Sequence, residues 1–231
     1  MGRTSVSIQI KNLRQLLKQA EEIRGASEKI IKNTVKDVKA RAPGWISNEV
    51  RQEYNIKKSE VMPAKDRATG RRAASVGVTG DTIETMAIVY KGERLTPLHF
   101  SMTPKKPAGL VDKPQAIPGA GIKTKGGAAL DVAMARPRKK YTVQATIKKG
   151  QKKKLRGKYN TPIFIAPAAK GSTTMIPFQR SPGGKYKVEA IHTLSVPQMV
   201  DNEKVNAKIY EKINEEAAKR LQHHIDRILG S

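Results

Sequence analysis

The chain has 231 residues, of which 38% are hydrophobic and 4% aromatic, so the apolar core is modest for this length. Lysine and arginine number 45 against 20 aspartate and glutamate, and the net charge of +25 favours polyanions or acidic protein surfaces as partners. The lack of cysteine excludes disulfides and thiolate metal sites, and no apolar run approaches the roughly 20 residues that span a bilayer.

The N-terminal segment, residues 1–66, is predicted to be helical. Met1 to Ile10 alternate polar and apolar side chains and lack the unbroken apolar run of a secretory signal, so we expect a protein used in, or assembled from, a cytoplasm. Apolar residues at three-four spacing then mark a helix face, with Gly25 leaving one long helix or a pair as alternatives. Pro43-Gly44 is expected to end this pattern, and a second short helical stretch follows over 45–63.

The segment 67–102 changes to the period of two that is typical of strands. Ala74, Val76 and Val78 alternate with polar or small residues, and a β-branched stretch follows over 82–90. Gly80-Asp81 between these runs predicts a β-hairpin with a two-residue loop.

Residues 103–140 are rich in proline, glycine and lysine. Because proline removes backbone donors and glycine raises the cost of ordering, regular structure is not expected, and we predict an extended loop. A connection of this length is usually functional or ordered by a partner, which suggests the hypothesis that it reaches over a neighbouring subunit.

A second β region is predicted over 141–200. The alternation from Tyr141 to Ile147 is the clearest strand pattern in the chain. Two further strand patterns, 161–169 and 173–178, meet near Gly171 and precede a short strand over 186–191. The prolines inside them indicate edge positions or bulges: Pro162, Pro167 and Pro177.

The final segment, residues 201–231, is predicted to be an amphipathic helix that Asp201 or Asn202 could cap. Its apolar stripe comprises Val205, Ile209, Ile213, Ala217, Leu221, Ile225 and Ile228. Taken together, the segments predict an α+β protein in one composite domain, with an N-terminal helix or helix pair, a central antiparallel β-sheet region that includes the long loop, and a C-terminal amphipathic helix.

The positive charge is concentrated in the middle of the chain. Residues 103–158 hold sixteen basic and two acidic side chains. The densest part, called here the basic segment, comprises Lys148, Lys149, Lys152, Lys153, Lys154, Arg156 and Lys158. Its only apolar side chain is Leu155, so burial is not expected. A nucleic-acid backbone, an acidic protein surface and a solvated turn without a partner stay open as interpretations, whereas the lack of an interleaved aromatic residue argues against base stacking.

No pattern predicts catalytic, metal-binding or cofactor-binding residues, and we do not expect an enzyme. His223 and His224 are adjacent on a predicted helix and point about 100° apart, which does not suit a shared metal ion. His99 near Ser101 and His192 near Ser195 lack the surroundings of a nucleophile. The glycine-rich stretch 119–127 does not match a phosphate-binding loop.

A helix-turn-helix over 45–66 is a further alternative, with a turn near Asn55 and several cations nearby: Lys57, Lys58, Lys65, Arg67, Arg71 and Arg72. A recognition helix needs several base-reading side chains on one exposed face. The candidate second helix is short and runs into Pro63, which disfavours this interpretation.

Five stretches stand out in their order along the chain: Glu93 to Phe100, Arg136 to Lys139 leading into Tyr141 to Gly150, Tyr159 to Ala166, Ile176 to Arg180, and Ser195 to Met199 followed by the C-terminal helix. Together they resemble the prophage minor tail protein Z (tail completion) family, and the resemblance covers most of the chain. Thr193-Leu194 departs from the Gly-Pro-like turn expected before Ser195.

The resemblance implies a structural virion protein that completes a phage tail at its head-proximal end after assembly in the bacterial host cytoplasm. It implies the tail terminator, the tail tube and the head–tail connector as partners, a homo-oligomeric ring as the assembled form, and DNA backbone contact in the tail lumen. It brings no catalytic residues and no membrane partner. The alternative is a basic nucleic-acid-binding module without a role in the virion.

Overall fold

The computed structural model describes residues 4–9, 18, 21–22, 27–62, 74–80, 82, 85–109, 115–123, 129–135, 139–182 and 187–229. Its helices and antiparallel sheets confirm the α+β class. The helices are α1 (Ser27–Glu53), α2 (Lys58–Val61), α3 (Val196–Val200) and α4 (Glu203–Leu229), with a 3-10 turn at Pro97–Phe100. The strands are β1 (Thr4–Gln9), β2 (Ala74–Thr79), β3 (Ala87–Gly92), β4 (Met102–Thr103), β5 (Gln115–Lys123), β6 (Ala129–Ala135), β7 (Gln144–Thr146), β8 (Lys152–Lys154), β9 (Ile163–Pro167), β10 (Met175–Arg180) and β11 (Val188–Ala190).

The chain forms two compact units, where the sequence predicts one composite domain. Unit 1 comprises Met1–Phe100, Thr146–Gln151 and His192–Ser231, and unit 2 comprises Ser101–Ala145 and Lys152–Ile191. Each unit combines pieces that are distant in sequence, which is why composition along the chain does not show the division.

In unit 1, α1 and α4 pack side by side in opposite directions. Ile30 near the start of α1 packs with Leu221 and Ile225 near the end of α4, whereas Lys204 at the start of α4 reaches Glu53 at the end of α1. The predicted stripe of α4 is buried from Val205 to Ile225, and Ile228 packs beside it. Asp201 ends α3 and Glu203 begins α4.

Helix α1 runs unbroken through Pro43-Gly44, so the predicted stop there is wrong. Val38, Ala42 and Ile46 are all 0% exposed, and their spacing of four residues, which keeps them on one helix face, continues across the proline. An interior proline costs about 3 kcal/mol relative to alanine, but each large apolar side chain that the face buries returns about 1.5–3 kcal/mol. Burial therefore decides the outcome. The choice between one helix and a pair at Gly25 lies outside the described residues.

The sheet of unit 1 has the order β1-β3-β2, with β3 paired antiparallel on both sides. The predicted pairing of the strands around Gly80 is confirmed, but Thr79 pairs with Ala87, so residues 80–86 connect them instead of a two-residue loop. Thr82 and Thr85 close this connection with hydrogen bonds between their hydroxyls and backbone N–H groups. Strand β1 corrects the expectation of a wholly helical N-terminal segment; the alternation over Met1 to Ile10 is its signal.

The extended loop predicted over 103–140 is wrong for two ranges, because β5 and β6 form an antiparallel hairpin. The register shifts between Pro118 and Ile122, next to the glycines that follow the proline. A bulge leaves a residue out of the ladder, so a proline without an N–H is tolerated there. Residues 124–128 lie outside the description.

Unit 2 also holds the sheet β11-β10-β9 and, apart from Thr146 of β7, the sheet β4-β7-β8. The predicted strand at 141–147 is confirmed for Gln144–Thr146, and the pair that meets near Gly171 is confirmed as β9 and β10. Pro167 lies on the edge strand β9 as expected, but Pro177 lies in the middle strand β10. Strand β11 pairs with β10 only from Phe178 onwards, so this proline falls beyond the end of the second ladder.

Candidate functional site

The basic segment is divided between the two units. Lys148 and Lys149 belong to unit 1, and the other five cations belong to unit 2. In unit 1, Lys148 Nζ lies 3.3 Å from Glu53 Oε1, and Lys204 Nζ lies 3.3 Å from Glu53 Oε2. The hydrogen bonds from Lys204 and Lys148 hold the pKa of Glu53 below its ordinary value. Lys148 is therefore paired inside its own unit, whereas the side chain of Lys149 is exposed.

Strand β8 exposes three consecutive lysines at the edge of its sheet. Lys152, Lys153 and Lys154 are all exposed, although successive side chains of a strand point to opposite faces. Leu155 follows them and is only 8% exposed, whereas Lys154 and Arg156 on either side of it are exposed, as expected for the basic segment. The N–H of Leu155 donates to Val143 O at 2.9 Å, so the end of the strand is anchored while the cations stay in solvent.

A cleft of about 610 Å³ opens beside the end of β8, and all its lining residues belong to unit 2. We call it the cationic cleft. Lys154 and Arg156 lie on its lining, and none of the lining residues is acidic. Its remaining polar groups include Tyr141, Tyr159, Asn160 and Gln179.

Gln179 of β10 forms a fixed floor to this cleft. Its side chain is 2% exposed, its Oε1 accepts the N–H of Tyr159 at 3.0 Å, and its Nε2 donates to Thr161 O at 2.8 Å and to Tyr159 O. The close approach requires Gly157, because a Cβ at that position would collide with the amide group of Gln179. The loop from β8 to β9 is thus held by one buried amide.

The two tyrosines of the cleft differ in what they can offer. The hydroxyl oxygen of Tyr141 accepts the N–H of Ile165 at 3.0 Å. The O–H of Tyr141 can therefore still donate a hydrogen bond to a ligand. The hydroxyl of Tyr159 donates to Glu189 Oε1 at 2.8 Å, and Lys158 Nζ lies 5.2 Å from the centroid of its ring. The cleft therefore combines two cations and the phenol donor of Tyr141. Its frame, formed by Gln179 and the backbone of Tyr159 and Thr161 that Gln179 binds, holds these groups in place, and the arrangement suits an anionic ligand.

The histidine–serine neighbourhoods have structural roles. Ser195 is buried and caps α3: its Oγ accepts the N–H of Gln198 at 3.3 Å, and its own N–H donates to Gln198 Oε1 at 2.9 Å. His192 Nδ1 lies 3.3 Å from Arg94 O. His99 Nδ1 lies 3.1 Å from Glu60 Oε1, and this bond holds the pKa of Glu60 below its ordinary value.

The other two histidines lie on α4. His224 is buried with Nε2 3.3 Å from Asp37 Oδ2, whereas His223 is exposed. Within the ranges that the structure describes, no three His, Asp or Glu side chains are grouped as metal ligands would be.

The helix-turn-helix alternative is not supported by the helix lengths. Helix α2 has four residues, about one turn, and the N–H of Asn55 donates to Ile147 O at 2.9 Å. One turn does not carry the several base-reading side chains of a recognition helix. Lys65, Arg67, Arg71 and Arg72 lie outside the described residues.

Sequence reasoning found the cations of the cleft but not its frame. Lys154 and Arg156 stand out by charge, whereas Gln179 is twenty residues from the Tyr159 backbone groups that it binds. The available signal is Gly157, a glycine inside a run of long side chains, which indicates a close approach of another group.

Among the helices that the structure describes, none combines the length and the hydrophobicity of a membrane-spanning segment. Comparisons of the chain with models of known protein families, with curated proteins and with solved structures find no match.

Proposed function

We propose that the protein is a structural subunit of a phage or prophage tail that completes the tail at its head-proximal end. It works by assembly with neighbouring subunits and catalyses no reaction. The order of the segments that resemble the minor tail protein Z family supports this proposal, and so does the distribution of charge.

The observation that carries the proposal is the exposed triplet Lys152–Lys154. Neither an ion pair nor a side-chain hydrogen bond joins these lysines to other described residues. Three like charges on one short strand repel each other, and a free subunit gains nothing from them except solubility and an edge protected from aggregation. In an assembly they meet an acidic neighbour or the DNA that fills the lumen.

The hairpin β5–β6 gives independent support to an assembly role. Within the described part of the chain, these two strands pair only with each other. A two-stranded hairpin is marginally stable in water by itself, and a third strand or a packed face stabilises it. A neighbouring subunit is a natural source of that third element.

The test is the composition of particles released by the host strain. We expect mass spectrometry to find the chain in purified particles, and gold-labelled antibody to mark it at the head-proximal end of the tail. Deleting the gene should give heads and tails that fail to join or tails of abnormal length. Particles that lack the chain, or normal infectious particles after deletion, would contradict the proposal.

Two solution measurements separate this role from the alternative. Light scattering after size exclusion should show a ring, or a species that grows when tail terminator, tube or connector protein is added; a concentration-independent monomer unaltered by these partners counts against it. A free nucleic-acid-binding module would instead bind duplex DNA tightly with a steep salt dependence and without any tail partner.

A further inference from the structure

We infer that the cationic cleft of unit 2 binds an acidic, extended segment of a partner protein, whose carboxylates meet Lys154 and Arg156. This inference adds to the proposed function the chemistry of the segment that binds, and it holds whether or not the assembly is a phage tail.

Charge complementarity identifies the occupant as anionic. Lys154 ends β8 and Arg156 lies two residues further along; both are exposed, and both line the cleft, whose lining includes no acidic residue. Arginine presents a fork of donors that fits a carboxylate with two hydrogen bonds, and lysine adds a point charge. A segment with acidic residues at alternate positions, in an extended conformation, would place its carboxylates at a matching spacing.

The shape of the cleft favours a peptide over nucleic acid. A concave space of about 610 Å³ can enclose several side chains, and its walls include apolar groups such as Val143, Leu155 and Ile163. Duplex DNA would bind through its phosphates to the cations and would leave these apolar walls without a partner. Tyr159 is an unsuitable stacking platform because Lys158 lies over its ring and Glu189 holds its hydroxyl.

The frame of the cleft is ordered before any ligand enters. Gln179 ties the backbone of Tyr159 and Thr161 to strand β10, and Gly157 makes this approach possible. A preformed site avoids the cost of ordering a loop on binding, so its affinity depends on the frame as well as on the charges.

The test compares two pairs of charge removals on the full-length protein. A fluorescein-labelled peptide of ten glutamates and a labelled duplex DNA of 20 base pairs serve as probes in anisotropy titrations. The cleft variant is Lys154→Gln with Arg156→Gln. The matched control is Lys170→Gln with Lys187→Gln, which removes two exposed charges from the same unit outside the cleft lining and outside the basic segment. Circular dichroism verifies that both variants keep the native fold.

We expect the cleft variant to bind the peptide at least about tenfold more weakly and the control to change by less than about threefold, since two charge-assisted contacts are lost in one case and only screened attraction in the other. Equal weakening by both variants overturns the inference, and so does a failure of the peptide to bind. Tighter binding of the duplex, lost in the cleft variant, would assign the cleft to nucleic acid instead. The presence of the protein in virions is decided separately by particle composition.

A second variant tests the frame without changing any charge. Gly157→Ala displaces Gln179 and should weaken peptide binding several-fold, whereas Gly109→Ala, where a Cβ meets nothing within 4 Å, should leave it unchanged. Unaltered peptide binding in Gly157→Ala would show that the charges act without a built cleft and would overturn the inference.

Discussion

Gly44→Ala is expected to stabilise unit 1, which makes it a direct test of the continuous helix α1. Gly44 lies well inside α1, and a Cβ added there would meet nothing within 4 Å. The substitution therefore creates neither a clash nor a cavity, and its effect reduces to helix propensity. Alanine exceeds glycine by about 0.8–1.0 kcal/mol in a helix interior, partly because it restricts the unfolded chain. We expect the free energy of unfolding to rise by about 1 kcal/mol.

Trp45 provides the assay, because it is the single tryptophan of the chain and lies in α1 against the core of unit 1. Its fluorescence during urea denaturation follows unit 1 without a contribution from tryptophans elsewhere. Far-ultraviolet circular dichroism should give the same midpoint if unit 1 unfolds in one step. In a thermal scan, about 1 kcal/mol corresponds to a rise of roughly 2–4 °C for a chain of this size.

Gly80→Ala is the control of opposite sign. Gly80 has a φ of 84°, and a Cβ there would collide with the backbone carbonyl of Thr85, so the free energy of unfolding should fall by more than about 1 kcal/mol. A neutral or destabilising Gly44→Ala would refute the reasoning, because it would mean that the helix ends at Pro43-Gly44 as its sequence suggests.

Three further predictions concern unit 1 and use the same denaturation assay. Ile213→Ala should cost about 2–5 kcal/mol because Ile213 is 1% exposed, while Leu229→Ala, 68% exposed, should have little effect. Tyr90→Phe should raise the free energy of unfolding by about 1 kcal/mol, since this buried hydroxyl has no hydrogen-bond partner among the described residues; a clear loss would reveal one. The pKa of Glu60 is depressed below 4.5 by His99, so its contribution is present above that pH and is lost as the pH falls through the folded value; Glu60→Gln should flatten this part of the stability profile.

Local periodicity predicted the elements that bury one regular face. The stripe of α4 and the strand at Gln144–Thr146 followed from spacing alone, because each needs only its own residues to define the buried side. The continuation of α1 through Pro43-Gly44 could not be read in this way. Local chemistry at that point opposes a helix, and only the packing of residues on both sides against distant elements outweighs it.

Hairpin β5–β6 was missed for a related reason. Strands are held by backbone hydrogen bonds to another segment, and proline and glycine lower the propensity of a strand without forbidding its pairing. The frame of the cationic cleft could not be predicted either, because Gln179 of β10 binds backbone groups of the distant loop from β8 to β9. A dense run of lysine and arginine is visible in the sequence itself, so the cations of the cleft were identified. The residues that pack around them come from distant parts of the chain and were not.

The charge distribution separates cations that stabilise the fold from cations that are left for partners. On α4, Lys212 and Lys219 both pair with Glu215 and Glu216, and near the end of α1, Glu53 holds Lys148 and Lys204. Unit 2 has few acidic residues with which its cations could form such ion pairs. Its sequence has 18 basic against 3 acidic residues, a net charge of +15 in the smaller part of the chain. One of the three acids, Glu189, already accepts a hydrogen bond from Tyr159. Cations in such excess cannot be neutralised within their own unit, so the counter-charge that Lys152–Lys154 and Arg156 lack has to come from another molecule or from salt. An acidic partner that meets these side chains should therefore bind more weakly as the salt concentration rises, whereas self-association through apolar surface alone should not weaken.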